Sequence, residues 1–93
     1  MKQPTLDEIE DAVRKAFDVG PLAPRDRRQR ISDARLSYYY LGRKAGHTMA
    51  ATAGRINRDH SNCTHADREV PARLGIDKVF CRRYMQASTE VFG

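Results

Sequence analysis

Several features are scarce or missing in this chain, and each absence excludes a class of protein. The 93 residues contain two cysteines, Cys63 and Cys81. Two cysteines do not build a disulfide framework, so we expect reduced thiols in a cytoplasmic protein. No apolar run is long enough to span a bilayer, and we expect no signal peptide and no membrane partner. No glycine-rich phosphate loop occurs, so no nucleotide cofactor is predicted.

Strand-like alternation, internal repeats and low-complexity segments are also missing, whereas apolar residues recur repeatedly at helical spacing. The pattern predicts an all-α protein, a bundle of five to six helices. A chain of this length supports one domain with a small core, so we expect residues 1–93 to form a single domain.

The first predicted helix is Thr5 to Phe17. Thr5 and Glu8 have the spacing of a capping box, and the run Gly20-Pro21 is expected to stop the helix. The predicted buried stripe is Leu6, Ile9, Val13 and Phe17.

The next predicted helix is Ser32 to Ala45, capped by Ser32 or Asp33 and ended by Gly46. It contains three consecutive tyrosines, Tyr38 to Tyr40, which point in different directions, so at most two can be deeply buried. Core packing of these rings is a better interpretation than base stacking, because proteins that read duplexes seldom stack bases.

Two further segments have the layout of a helix-turn-helix, predicted at about residues 48–70. Thr48 to Ile56 is predicted as a short helix. Asn57 to Val70 is predicted as the second helix, called the reading helix; its first residues, Asn57-Arg58, form the tight connection, and Asp59 is its cap. The reading helix is expected to bury Cys63, Ala66 and Val70 and to stop before Pro71.

The last predicted helix is Ile76 to Val91, with Asp77 as its cap. Its predicted buried face is Ile76, Val79, Phe80, Tyr84, Ala87 and Val91.

Charge is distributed unevenly along the chain. The net charge is +5, but residues 21–75 hold eleven basic residues against five acidic ones, whereas residues 1–20 hold three against five. A basic centre favours an anionic partner, and nucleic acid before membrane. The densest part is a predicted basic loop at residues 25–31 that contains Arg25, Arg27, Arg28 and Arg30; a solubilising surface segment is the alternative interpretation.

The residues Arg58-Asp59-His60-Ser61, followed by His65-Ala66, resemble the signature of the C-terminal DNA-binding domain of the bacterial replication initiator DnaA. The segment Gly46 to Met49 resembles the opening of its helix-turn-helix. The resemblance implies a stand-alone relative of that domain, which lacks the family's ATPase domain, binds double-stranded DNA and regulates replication initiation or transcription at the nucleoid.

Specific contacts follow from the resemblance. It implies that Arg27 enters the minor groove and that Asp59 accepts a hydrogen bond from a cytosine. His60, Ser61 and Asn62 are predicted to contact base edges or phosphates; Asn62 stands where the family has Thr. His65 matches a residue that packs and hydrogen-bonds internally. The full predicted DNA-binding set is Arg25, Arg27, Arg28, Arg30, Arg35, Thr48, Arg58, Asp59, His60, Ser61 and Asn62.

Three acidic residues depart from the family pattern: Asp33, Asp67 and Glu69. Acids beside phosphates weaken DNA binding. The alternative function is therefore a protein-interaction module that binds the replication machinery or a regulator. A metal site built from Asp59, His60, Cys63 and His65 is disfavoured, because one helix cannot direct all four side chains to one point. Catalysis by Asp59-His60-Ser61 is disfavoured for the same reason, so no enzyme is predicted.

Overall fold

The computed structural model describes residues 3–93 and contains five helices in that part of the chain. They are α1 (Leu6–Phe17), α2 (Gln29–Lys44), α3 (Met49–Gly54), α4 (Ser61–Leu74) and α5 (Lys78–Phe92). No strand occurs among the described residues. The helices pack into one bundle with a radius of gyration of 11.8 Å, which confirms the predicted all-α class.

Helix α1 forms as the sequence predicts. Thr5 is the N-cap, and the capping box with Glu8 is present. The helix ends earlier than the run Gly20-Pro21, because Asp18 takes a left-handed conformation with φ 53°. The Val19 N–H then donates to the Arg14 carbonyl, which closes the helix end.

Helix α2 begins at Gln29, three residues before the predicted start, so the basic loop ends at Arg28 and not at residue 31. Neither Ser32 nor Asp33 is the cap. Ile31 is buried at 4% exposure, and its burial draws the first turn onto the core. The predicted end is confirmed, since Gly46 has φ 99° and follows the last turn.

The three tyrosines divide as expected. Tyr38 and Tyr39 are buried, whereas Tyr40 is half-buried. The Tyr38 hydroxyl donates to the Thr52 carbonyl at 2.7 Å and so ties α2 to α3. Burial raises the pKa of Tyr38 to about 12. These rings are parts of the core.

Helix α4 continues through Pro71 to Leu74, which corrects the prediction that Pro71 stops it. Pro71 and Asp67 are both exposed, so the carbonyl that loses its intrahelical donor lies on the solvent side. The predicted inner face is confirmed, since Cys63, Ala66 and Val70 are all 0% exposed.

Helix α5 begins at Lys78, and Asp77 caps it by accepting the Phe80 N–H at 3.0 Å. Phe80, Tyr84 and Ala87 are buried as predicted, and Val91 is half-buried. Ile76 and Val79 contradict the prediction, because both are largely exposed. The core already contains Phe17 packed against Phe80, with ring centroids 5.9 Å apart, and this pair closes the core below Val79.

Candidate nucleic-acid interface

The first part of the candidate interface is the turn that leads into α4. Met49–Gly54 is followed by a turn in which Asn57 has φ 57° and the Arg58 N–H donates to the Ala53 carbonyl at 2.9 Å. This pattern closes a helix end, and Asn is the residue after glycine that best tolerates it. The turn is followed by Asp59, His60 and Ser61, all three of which are exposed.

Asp59 organises the leading turn. Its Oδ1 accepts the Ser61 N–H at 2.8 Å, as expected of a capping residue, although α4 itself begins at Ser61 with His60 as N-cap. This hydrogen bond, assisted by further bonding with Ser61, holds the pKa of Asp59 below its ordinary value. Asp59 therefore remains an ionised hydrogen-bond acceptor throughout the neutral range.

Two of the predicted reading residues, His60 and Ser61, are exposed beside Asp59. The His60 side chain is 69% exposed, with Nδ1 at 3.5 Å from Asp59 Oδ1. Asn62 differs from them, because it is half-buried and its Nδ2 donates to the Asp59 carbonyl at 2.9 Å. Asn62 must give up this hydrogen bond before its amide can pair with an adenine.

The second part is the basic loop. Arg25 and Arg27 are exposed, and their side chains form no hydrogen bond or ion pair within residues 3–93. Arg28 is paired with Asp26 at 2.6 Å. This pairing lowers the pKa of Asp26 to about 2. Arg30 lies in α2, 3.8 Å from Asp18. The loop thus offers two unpaired guanidinium groups.

Arg35 holds the loop in place. Its three guanidinium nitrogens donate to the carbonyls of Leu22, Pro24 and Asp26, at 2.9, 2.5 and 2.8 Å. All the acceptors are neutral, so the cation keeps its full charge. Burial, together with repulsion from Arg58, lowers the pKa of Arg35. Arg35 was predicted to bind DNA, but these bonds give it a positioning role.

Arg58 joins the loop to the turn. Its Nη1 donates to the carbonyls of Ala23 and Ile56, both at 3.0 Å, and it is half-buried. Its guanidinium group therefore points at the backbone of the loop and not into solvent. Together Arg35 and Arg58 bring the loop and the leading turn to one side of the molecule.

The two parts share a concave surface of about 300 Å³. It is lined by Arg25, Asp26, Arg27, Arg35, Asn57 and Arg58. Four arginines face this surface, and its one carboxylate, Asp26, is already paired with Arg28. Asn57 lines this surface but was missing from the predicted set. The sequence feature that could have identified it is the tolerance of asparagine for the left-handed conformation that the turn requires.

Thr48 is exposed and serves as the N-cap of α3, with its hydroxyl accepting the Ala51 N–H at 3.0 Å. It is the remaining member of the predicted set, and the structure gives it a structural role at the start of the helix-turn-helix.

The three acids differ in their surroundings. Asp33 accepts two hydrogen bonds from Arg73, the shorter at 2.6 Å, and one from Gln29. Its charge is thus balanced within the domain. Asp67 is exposed on α4, and Glu69 is half-buried. Asp67 is the departure that keeps an exposed and unpaired charge on the reading helix.

His65 corrects a prediction. It is exposed, and its ring forms no hydrogen bond within residues 3–93, because α4 turns its Cys63–Ala66–Val70 face toward the core and position 65 away from it. The residues weighed as a metal site are also separated, since Cys63 is buried while His60 and His65 are exposed. No group of metal-ligating side chains occurs among the described residues.

Comparison with known proteins gives no match: no protein-family profile, curated protein or solved structure resembles the chain significantly. Among residues 3–93, no helix has the length and apolar character needed to cross a membrane.

Proposed function

We propose that this protein binds double-stranded DNA through the leading turn of α4, in the major groove, and through the basic loop, at phosphates and the minor groove. The observation that carries the proposal is the concave surface where unpaired Arg25 and Arg27 lie beside the turn that begins α4. A helix-turn-helix needs both parts: exposed polar side chains to read base edges, and cations to bind the backbone.

The proposed contact set is smaller than the sequence implied. Arg25 and Arg27 contribute the charge, and Asp59, His60 and Ser61 supply donors and acceptors to base edges. Asn62 joins them after its hydrogen bond to Asp59 opens. Arg35 and Arg58 position the loop, so their effect on binding is indirect.

The resemblance to the DnaA C-terminal domain supports the same proposal and adds a context. Residues 58–61, which carry the resemblance, also form the exposed leading turn. We propose that the protein acts in the cytoplasm at the nucleoid, where it regulates replication initiation or transcription by occupying initiator-type sites.

The test is selection of bound duplexes from a random pool, followed by competition binding across single-base variants of the selected site. The variants His60→Ala and Ser61→Ala remove exposed groups, so their unfolding free energies should change by less than about 0.5 kcal/mol. They should alter the base profile by about 1–3 kcal/mol at the positions they contact. Thr89→Ala, at an exposed position on α5, is the matched control.

The alternative is the protein-interaction module, which the exposed Asp67 favours. It is distinguished by a salt titration with random duplex. A steep loss of affinity with rising salt is expected of the DNA-binding protein. If no duplex binds even at low salt, the DNA-binding proposal is wrong and the interaction module replaces it.

A further inference from the structure

The start of α5 carries an apolar surface that the described chain leaves uncovered. Ile76 is 84% exposed and Val79 is 56% exposed. Isolated exposed aliphatic side chains are common, but Val79 also lines a cavity of about 230 Å³ whose other apolar lining residues are Phe17 and Phe80. The surface therefore combines exposed aliphatic groups with a recess at whose base the rings of Phe17 and Phe80 are each 1% exposed.

Cations surround this recess. Arg30 and Arg83 line the cavity itself. Arg83 is fixed there, because its Nη1 donates to the Phe17 carbonyl at 2.8 Å. Lys78 and Arg82 are exposed on α5 nearby, and their side chains form no ion pair or hydrogen bond within residues 3–93. The rim is therefore basic.

The acids beside the recess are already occupied. Asp33 and Asp77 line the cavity and share the single cation Arg73, at 2.6 and 2.7 Å, so one carboxylate charge remains against the cations of the rim. Asp18 lies 3.8 Å from Arg30 and is 90% exposed, so it screens Arg30 weakly. Arg83, Lys78 and Arg82 keep an unbalanced positive charge.

From this arrangement we propose that the start of α5 is a docking site for an acidic peptide segment that carries one large apolar side chain. The apolar side chain enters the recess between Val79 and Phe80, and the carboxylates of the segment pair with the basic rim. An apolar anchor in a pocket supplies most of the affinity of such contacts, while complementary charge supplies specificity and rate of association.

The site is separate from the proposed DNA surface. The leading turn lies at the start of α4, whereas Ile76 follows its end, and the 14 residues of α4 span about 20 Å. A peptide bound at α5 therefore leaves the leading turn free. Arg25 and Arg27, the proposed loop contacts, do not line the recess, although Arg30, just after the loop, does. The proposal does not depend on the DNA-binding function.

The probe for the test is a short synthetic peptide of Asp and Glu residues around one central Phe, with a second peptide in which Ser replaces that Phe. Binding is measured by fluorescence anisotropy and located by amide chemical shifts. The protein variants are Val79→Ser and the matched control Met85→Ser, which removes another exposed apolar side chain six positions further along α5 (51% exposed). The double variant Lys78→Glu/Arg82→Glu tests the rim.

The Phe peptide should bind the parent protein with shifts at the start of α5, and the Ser peptide should bind about tenfold more weakly. Val79→Ser should weaken binding about tenfold, Met85→Ser should leave it unchanged, and the charge-reversal variant should abolish it. Equal binding by Val79→Ser and Met85→Ser, or shifts confined to residues 25–28, would overturn the proposal.

Sedimentation supplies a second check: dimerisation that Val79→Ser removes would identify a second copy of this chain as the occupant and would also overturn it. Duplex binding by Val79→Ser reports on the DNA proposal separately.

Discussion

Arginines at the two ends of α4 are held by chemically different partners. At its start, Arg35 and Arg58 donate to neutral backbone carbonyls of the loop. At its end, Arg73 donates to the carboxylates of Asp33 and Asp77, and these bonds raise its pKa. Both arrangements fix a guanidinium group, but only the second compensates its charge with carboxylates. The difference leaves uncompensated positive charge beside the leading turn, whereas at the end of α4 the charge of Arg73 is compensated by two carboxylates.

A fourth arginine shows that the contrast does not follow from position along the α3–α4 segment. Arg55 lies in the turn after α3, and it is paired with Asp7 and Glu10 of α1. Burial opposes its charge, but the bonds to the two carboxylates raise its pKa overall. Glu10 also accepts the Leu22 N–H at 3.2 Å. The acidic front of α1 thus neutralises one side of the turn and leaves the loop side positive.

The largest expected effect comes from removing the unpaired charge. The double variant Arg25→Ala/Arg27→Ala should weaken duplex binding by about a hundredfold, since a hydrogen bond to a charged group contributes about 1.5 kcal/mol or more. The slope of log affinity against log salt concentration should become shallower by about the amount expected for two lost phosphate contacts. The control is Lys78→Ala/Arg82→Ala, which removes the same charge from α5. Identical salt slopes for the two double variants would show that the basic loop does not bind DNA.

Removal of Arg73, which is paired with two carboxylates, should lower the unfolding free energy. Arg73→Met leaves Asp33 and Asp77 without their cation, and the Asp33 side chain is only 13% exposed. We expect a loss of about 2–3 kcal/mol of unfolding free energy, measured by urea denaturation, because a largely buried carboxylate becomes unpaired. Arg82→Met is the exposed control. A loss below 0.5 kcal/mol, within the range of ordinary surface changes, would contradict the assigned role.

Removal of Arg58 should reduce both the unfolding free energy and the affinity for DNA, each by less than the two changes above. Arg58→Met leaves the carbonyls of Ala23 and Ile56 without this donor, so unfolding free energy should fall by about 1 kcal/mol and amide exchange of the loop should rise. Duplex affinity should fall as well, because the loop is less ordered. Arg58→Lys should not restore it, since one ammonium cannot replace the fork of donors. Full rescue by lysine would instead indicate direct phosphate contact by residue 58.

Acid should remove the charge-dependent stabilisation that Asp77 supplies at the end of α4. The bond from the Phe80 N–H, with that from Arg73, lowers the pKa of Asp77 below its unfolded value. The stabilisation is therefore present above a pH of about 4, the ordinary aspartate pKa, and is lost as pH falls through the folded value. Asp77→Asn keeps the capping oxygen but has no charge to titrate. The stability difference between parent and variant should shrink as pH falls from 6 to 2; a constant difference would exclude a contribution from ionised Asp77.

The smallest expected effect concerns the turn. Asn57→Gly should raise unfolding free energy by about 0.5 kcal/mol, because glycine adopts the left-handed conformation without steric cost. Asn57→Ala, which loses the side-chain polarity and keeps the Cβ, should be destabilising. Thermal melts of the three proteins provide the measurement, and a glycine variant less stable than the alanine variant would be inconsistent with the observed φ of 57°.

Much of the fold could be predicted from the sequence because its signals are local. The capping residues Thr5 and Asp77 were identified from residues within four positions, and each accepts the predicted type of backbone bond. Helical periodicity likewise identified the buried face of α4. The start of α2 was missed because its first turn has no side-chain cap and is stabilised by burial of Ile31.

In the candidate interface, the exposed leading turn followed from sequence, but the grouping of the arginines did not. Arg35 and Arg58 were predicted as DNA contacts from their charge and from resemblance, and their carbonyl acceptors could not be identified from the sequence. His65 was placed inside by resemblance, and the rotation of α4 places it outside. Ile76 and Val79 had the spacing of buried residues, but Phe17 and Phe80 close the core before reaching them.

The sequence by itself determined which segments are helical, that Thr5 and Asp77 cap α1 and α5, and that the basic residues concentrate in the centre of the chain. Capping bonds and helical periodicity act over a few residues, so the chain encodes them locally. The tertiary structure decided which charges remain available. Arg58 finds the carbonyl of Ala23 across 35 residues, and Arg73 finds Asp33 across 40. Partners so distant meet only when the helices pack, and that packing leaves Arg25 and Arg27 unpaired in the loop while it pairs Arg73 with carboxylates at the end of α4.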